Sequence, residues 1–71
     1  MNQINPEKLL MSKWTATHPE QRERHFIVTE LIRDTHETVI ACVLEAVINK
    51  NMYEINWREL KDSTRWLRGW K

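Results

Sequence analysis

The sequence predicts a mainly β domain, with a small α+β arrangement as its nearest variant. The expected architecture is a three- to four-stranded antiparallel meander with a short helical turn near each end. Three observations carry this. Two stretches rich in β-branched residues, 26–33 and 39–48, flank the polar turn segment 34–38. A second turn candidate, Lys50-Asn51, is followed by the alternating run Tyr53, Ile55, Trp57. Folding hairpins about these two turns independently brings the apolar residues onto one nearly continuous face.

The elements follow in order. Asn5-Pro6-Glu7 is a helix start, with Asn as N-cap, Pro at the first helical position and an acid near the positive end of the dipole. Only Lys8 to Met11 follow before the pattern changes, so about one turn is expected. Lys13 to Thr17 reads as a short strand with Trp14 and Ala16 on one face. The polar segment His18 to Arg24, interrupted by Pro19, reads as a loop.

In the first hairpin Arg33 is placed opposite Val39. Phe26, Val28, Glu30 and Ile32 then share a face with Ala46, Leu44, Cys42 and Ile40. In the second, Asn49 is placed opposite Met52, which sets Ile48, Ala46 and Leu44 beside Tyr53, Ile55 and Trp57. Only Glu30 breaks this face, and a one-residue slip would scramble it. The rival is a helix over 38–50, whose apolar residues also fit a helical stripe. Its many β-branched residues lose side-chain freedom in a helix, which favours the strand. Beyond Trp57, Asp62 or Ser63 can cap a turn of helix running through Leu67 and Arg68 and closed by Gly69, with Trp66 and Trp70 close together. The meander could curl into a small SH3-like barrel, but no fifth strand is visible.

At 71 residues the chain makes one domain, 1–71, with a small core. The single cysteine, Cys42, rules out an intrachain disulfide and fits a reducing compartment. Four tryptophans (Trp14, Trp57, Trp66 and Trp70) take the place of a staple, each able to bury roughly 200 Å². No apolar run reaches the ~18 residues of a membrane span, and the first residues lack the features of a leader. A cytoplasmic protein is the expectation.

The net charge of +1 is too balanced to name a partner, but residues 58–71 hold five basic and two acidic groups. There Trp57, Trp66 and Trp70 alternate with Arg58, Arg65, Arg68 and Lys71. Rings among cations hold single-stranded nucleic acid by stacking bases and neutralising phosphates. The bland alternative is that the rings are core and the arginines solvated.

Other chemistry is sparse. A carboxylate buried at Glu30 would have a raised pKa, but one acid without a partner is no catalytic set. Glu45, which also interrupts an apolar strand, falls on the opposite face. His18, His25 and His36 lack the spacing of a zinc site. Cys42 lies between Ala41 and Val43, with nothing basic nearby in sequence to activate it. One glycine cannot build a phosphate loop.

Several blocks carry a resemblance: Asn5-Pro6-Glu7-Lys8-Leu9-Leu10, Ser12-Lys13-Trp14-Thr15-Ala16, Arg24-His25-Phe26, Leu44-Glu45-Ala46-Val47, Ile55 with Trp57-Arg58-Glu59-Leu60-Lys61-Asp62, and Trp66 with Gly69-Trp70. Together they resemble the small tryptophan-rich bacterial proteins of unknown function, over nearly the whole chain. The resemblance implies a free-standing intracellular domain and no activity, ligand or catalytic residue.

The expected function is a non-enzymatic binding or interaction module, without cofactor or metal. Its surface is Trp57, Arg58, Arg65, Trp66, Arg68 and Trp70, and its ligand is single-stranded nucleic acid or a protein. The alternatives are a structural or homodimerising domain whose tryptophans form the core and, least favoured, an enzyme.

Overall fold

The structure, a computed structural model, describes all 71 residues, Met1–Lys71. Five strands build one antiparallel sheet: β1 (Lys13–Glu20), β2 (Glu23–Arg33), β3 (Val39–Ala46), β4 (Met52–Ile55) and β5 (Trp66–Arg68). Their order across the sheet is β4-β3-β2-β1-β5, so the first four form the expected meander and the sheet stays open at β4 and β5.

β5 is the strand that the sequence pattern hides. The segment read as a capped helical turn through Leu67 and Arg68 is extended. Trp66, Leu67 and Arg68 pair with Ala16, Thr15 and Trp14. Three residues carry too little alternation to register as a strand, and a ladder formed with distant sequence outweighs local capping signals. Gly69 closes the element at φ +79°, but it ends a strand.

The segment His18 to Arg24 is also corrected. Strands run through most of it, and only Gln21 and Arg22 turn, both at positive φ (54° and 63°). That two-residue geometry matches the twist of the flanking strands. Pro19, which has no N–H for a ladder, sits where the β1–β2 register shifts between Thr15 and Glu20.

The β2–β3 hairpin pairs Arg33 with Val39 and Phe26 with Ala46, as the sequence predicts. Between them the register steps by one residue after Val28 and steps back after Ile32. Leu31 therefore faces Cys42, while Glu30 pairs with Val43 and is exposed. The expectation that Glu30 breaks the apolar face is thus overturned: the irregularity carries the carboxylate to solvent and avoids burying a charge. Ile40, expected on that face, is 44% exposed.

β3 ends at Ala46, and Val47 and Ile48 are exposed in the turn. Met52 pairs with Glu45 instead of Asn49, a shift of four residues from the expected register. Four is even, so the faces survive: Leu44 lies beside Tyr53 and Cys42 beside Ile55. The wider turn is held by Ala46 N–H donating to the Asn51 carbonyl and Asn51 N–H donating to Asn49 Oδ1, at 2.8 and 2.9 Å.

From β4 at one edge, the chain must cross the sheet to reach β5 at the other. A 3₁₀ turn, Trp57–Lys61, lies in that crossing and buries Trp57 and Leu60 on the strands. Asn56 Oδ1 accepts from Arg58 N–H and caps it. Trp57 Nε1–H donates to the Val39 carbonyl at 3.0 Å, which satisfies the indole inside the core. The expected N-terminal turn is a 3₁₀ turn, Pro6–Lys8, with Asn5 as its cap. Glu7 accepts both arms of the Arg33 guanidinium at 2.7 and 3.0 Å, tying this turn to the end of β2. Leu9, Trp14, Phe26, Val28, Cys42 and Leu44 join Trp57 and Leu60 in one core. At about 25 cal/mol per Å², Trp14 and Trp57 each contribute roughly 5 kcal/mol of gross apolar burial.

An aromatic and acidic groove as the candidate functional site

The six expected binding residues do not form one surface. Trp57 is core, and the cations Arg58 and Lys61 lie over its ring at 4.8 and 5.2 Å. Arg68 lies 5.5 Å over Trp14 and donates to the Gln3 carbonyl. Trp66 is half-buried and meets Phe26 edge-on at 5.3 Å. Trp70 is 44% exposed, with its Nε1–H donating to the Phe26 carbonyl, Lys13 at 4.7 Å and the His25 ring at 6.0 Å. Phe26 and His25 are consecutive in a strand and point to opposite faces. Trp66 and Trp70 therefore lie on opposite sides of the sheet, and the expected proximity of these two rings is corrected. Arg65 alone among the expected arginines joins Trp66 at a concave site.

That site is a groove of about 590 Å³. Ala16, Phe26, Leu44, Tyr53, Ile55 and Trp66 form its apolar lining. Phe26 is the centre: Trp66 meets it edge-on from the β5 side, and Tyr53 meets it edge-on from β4 at 6.3 Å. The groove thus takes walls from both edge strands of the open sheet. Its rim carries His18, Glu20, Gln21, Glu23, Glu59 and Arg65, so three carboxylates face one fixed cation.

Glu23 is the ordered member of the rim. Tyr53 Oη–H donates to its Oε1 at 2.6 Å, and the Asn49 and Asn51 side-chain amides donate to its Oε2 at 2.8 and 2.9 Å. These bonds favour the ionised carboxylate, with the Tyr53 hydroxyl the largest influence, and they hold the Glu23 pKa below its usual value. The same contact raises the Tyr53 pKa. This is the reverse of what a general acid needs. Cys42, in β3, points into the core, where burial, with Glu59 adding to it, pushes its pKa up to about 11. A thiol so placed is a poor nucleophile.

Tyr53, Phe26 and Leu44 read from the sequence as core, and Glu23 as loop, so the sequence does not reveal the groove. One signal was present. Asn49, Asn51 and Tyr53 are spaced by two, and all three converge on Glu23. No group of three or more His, Cys, Asp or Glu is placed to hold a metal ion. No helix is long and apolar enough to cross a membrane.

Fold and groove together define a small all-antiparallel domain with an open sheet, a tryptophan core and one recessed aromatic cleft. The chain belongs to the family described as Tryptophan-rich protein (DUF2389), which it matches over residues 12–71. No curated protein and no solved structure matches it.

Proposed function

We propose that this protein is a non-enzymatic binding module that accepts an extended segment of another protein in the groove between β4 and β5. The observation that carries this reading is the meeting of two accessible rings, the exposed Tyr53 and the half-buried Trp66, over the buried ring of Phe26 in a cleft flanked by both sheet edges. An edge strand offers unpaired backbone groups to an extended chain, and aromatic pockets anchor its side chains. The ionised state of Glu23 and the inert setting of Cys42 support a binding role over a catalytic one. A reduced, buried Cys42 supports a cytoplasmic setting.

Single-stranded nucleic acid is the competing ligand, favoured by Trp70, the most exposed of the tryptophans, beside Lys13. Against it, the rim of the groove is acidic, and Arg58 and Arg68 are occupied over buried rings. The test is amide shift mapping of the ¹⁵N-labelled protein against a random-sequence peptide pool and, separately, mixed single-stranded RNA. Peptides are expected to move Ala16, Tyr53, Ile55 and Trp66, and RNA to leave them unmoved. Shifts confined to Lys13, His25 and Trp70 on adding RNA would replace the peptide reading with the nucleic-acid one.

A further inference from the structure

We infer that the groove selects a segment carrying an arginine side chain and seats its guanidinium between Trp66 and the carboxylates of Glu20 and Glu59. This rests on the reading of the groove as a peptide site and adds the chemistry of its occupant.

The argument is one of charge complementarity in a confined, partly apolar space. Glu20, Glu23 and Glu59 line a cleft whose only fixed cation is Arg65. Glu23 is neutralised by no cation: its partners are the neutral groups of Tyr53, Asn49 and Asn51, which stabilise its negative charge without cancelling it. Of the two ion pairs in the protein, Arg33 with Glu7 and Lys50 with Glu45, neither involves a groove carboxylate. The cleft therefore holds an excess of negative charge against aromatic faces.

Aromatic faces carry negative quadrupole potential and attract cations, Trp most strongly. An anionic ligand would be repelled by both features. A neutral apolar side chain would lie against the rings but leave the carboxylates to solvent alone. A guanidinium satisfies both at once. It is planar and weakly hydrated, stacks on an indole, and presents five donors to carboxylate oxygens. Arg65 sets the limit on this preference, because it offsets one of the three charges.

The probes are three short acetylated and amidated alanine-based peptides that differ at one central position: arginine, norleucine or glutamate. Each is titrated into the ¹⁵N-labelled protein while the Tyr53 amide and the Trp66 amide and indole resonances are followed. The expected result is binding of the arginine peptide at least tenfold tighter than norleucine, with no shift from the glutamate peptide. Glu20→Gln with Glu59→Gln, both surface positions, is expected to remove about tenfold of the arginine affinity and leave norleucine unchanged. Equal binding of arginine and norleucine overturns the cation preference while leaving the groove a peptide site. Failure of every peptide to move Tyr53 and Trp66 overturns the groove reading and this inference with it. A glutamate peptide that binds best overturns the charge argument directly.

Discussion

The Tyr53 hydroxyl reaches past β3 to donate to Glu23 Oε1 at 2.6 Å, joining two strands that are not neighbours in the sheet. Because the bond favours the carboxylate, the folded pKa of Glu23 lies below its ordinary value of 4.5. Its contribution to stability is therefore present above that value and is lost as pH falls through the folded pKa. Tyr53 has the opposite sign: its folded pKa lies above 10.0, so its contribution is present below that and lost as pH rises through the raised value. Urea unfolding between pH 3 and pH 7 should show a steeper acid loss in the wild type than in Glu23→Gln. Superimposable pH profiles would remove this cluster as a source of acid sensitivity. Glu7 and Asp62, also lowered, account for any slope remaining in the variant.

Trp57 is the ring on which the crossing segment turns. Trp57→Phe keeps most of the apolar area but leaves the buried Val39 carbonyl without its donor, at a cost of about 1–3 kcal/mol. Trp57→Ala should cost about 3–5 kcal/mol. A domain of this size has roughly 4–10 kcal/mol in total, so the alanine variant should be close to unfolded. Circular dichroism on urea titration gives both values, and an alanine variant losing under about 1 kcal/mol would deny Trp57 its place in the core.

Gly69 holds φ +79°, its N–H donating to the Lys13 carbonyl and its own carbonyl accepting from Thr15 Oγ1 at 2.7 Å. A methyl group there would meet nothing within 4 Å, so the cost of substitution is conformational. Gly69→Ala should lower stability by about 1–2 kcal/mol, Gly69→Asn by less and Gly69→Val by more. An urea-midpoint order that places valine above asparagine would contradict a left-handed requirement.

Arg65 separates the two ligand classes by sign. If the groove takes cationic peptides, Arg65→Ala removes the opposing charge and tightens binding of an arginine peptide several-fold. If the C-terminal segment grips nucleic acid, the same change, combined with Arg68→Ala, weakens oligonucleotide binding. Fluorescence titration of the wild type, the single variant and the double variant with both ligands at low and high salt reads the two effects.

The meander was legible because two turns and two alternating runs agreed on one face. That agreement survived an error of four residues around Lys50, since even slips preserve the side of the sheet. The irregularity after Val28 was not legible: alternation alone places Glu30 with Phe26, and only the cost of burying a carboxylate explains why the strand steps aside. β5 was hidden for a different reason. Trp66, Leu67 and Arg68 have their partners near position 15, and local signals at Asp62 and Gly69 suit a helix as well as a turn. The site was partly visible. Trp66 and Arg65 are found by the sequence pattern, but Trp57, Arg58, Arg68 and Trp70 share only sequence proximity with them, which the crossing connection breaks by sending neighbours to different surfaces. No spacing rule joins Glu20 at the end of β1, Glu23 at the start of β2 and Glu59 in the crossing turn, so sequence alone does not bring the three together.

The ladder between β1 and β5, in which Trp14 lies opposite Arg68, joins strands from opposite ends of the chain. The β2–β3 hairpin pairs strands next to one another in the chain, whereas this pairing brings together distant segments and is eased once the strands between them are in place. Folding should thus pass through a stage in which β1 to β4 are joined and β1 is a bare edge beside the Trp14 ring. At high protein concentration during refolding, the terminal strand of a second molecule can occupy that edge first, and the yield of monomer then depends on dilution as much as on denaturant.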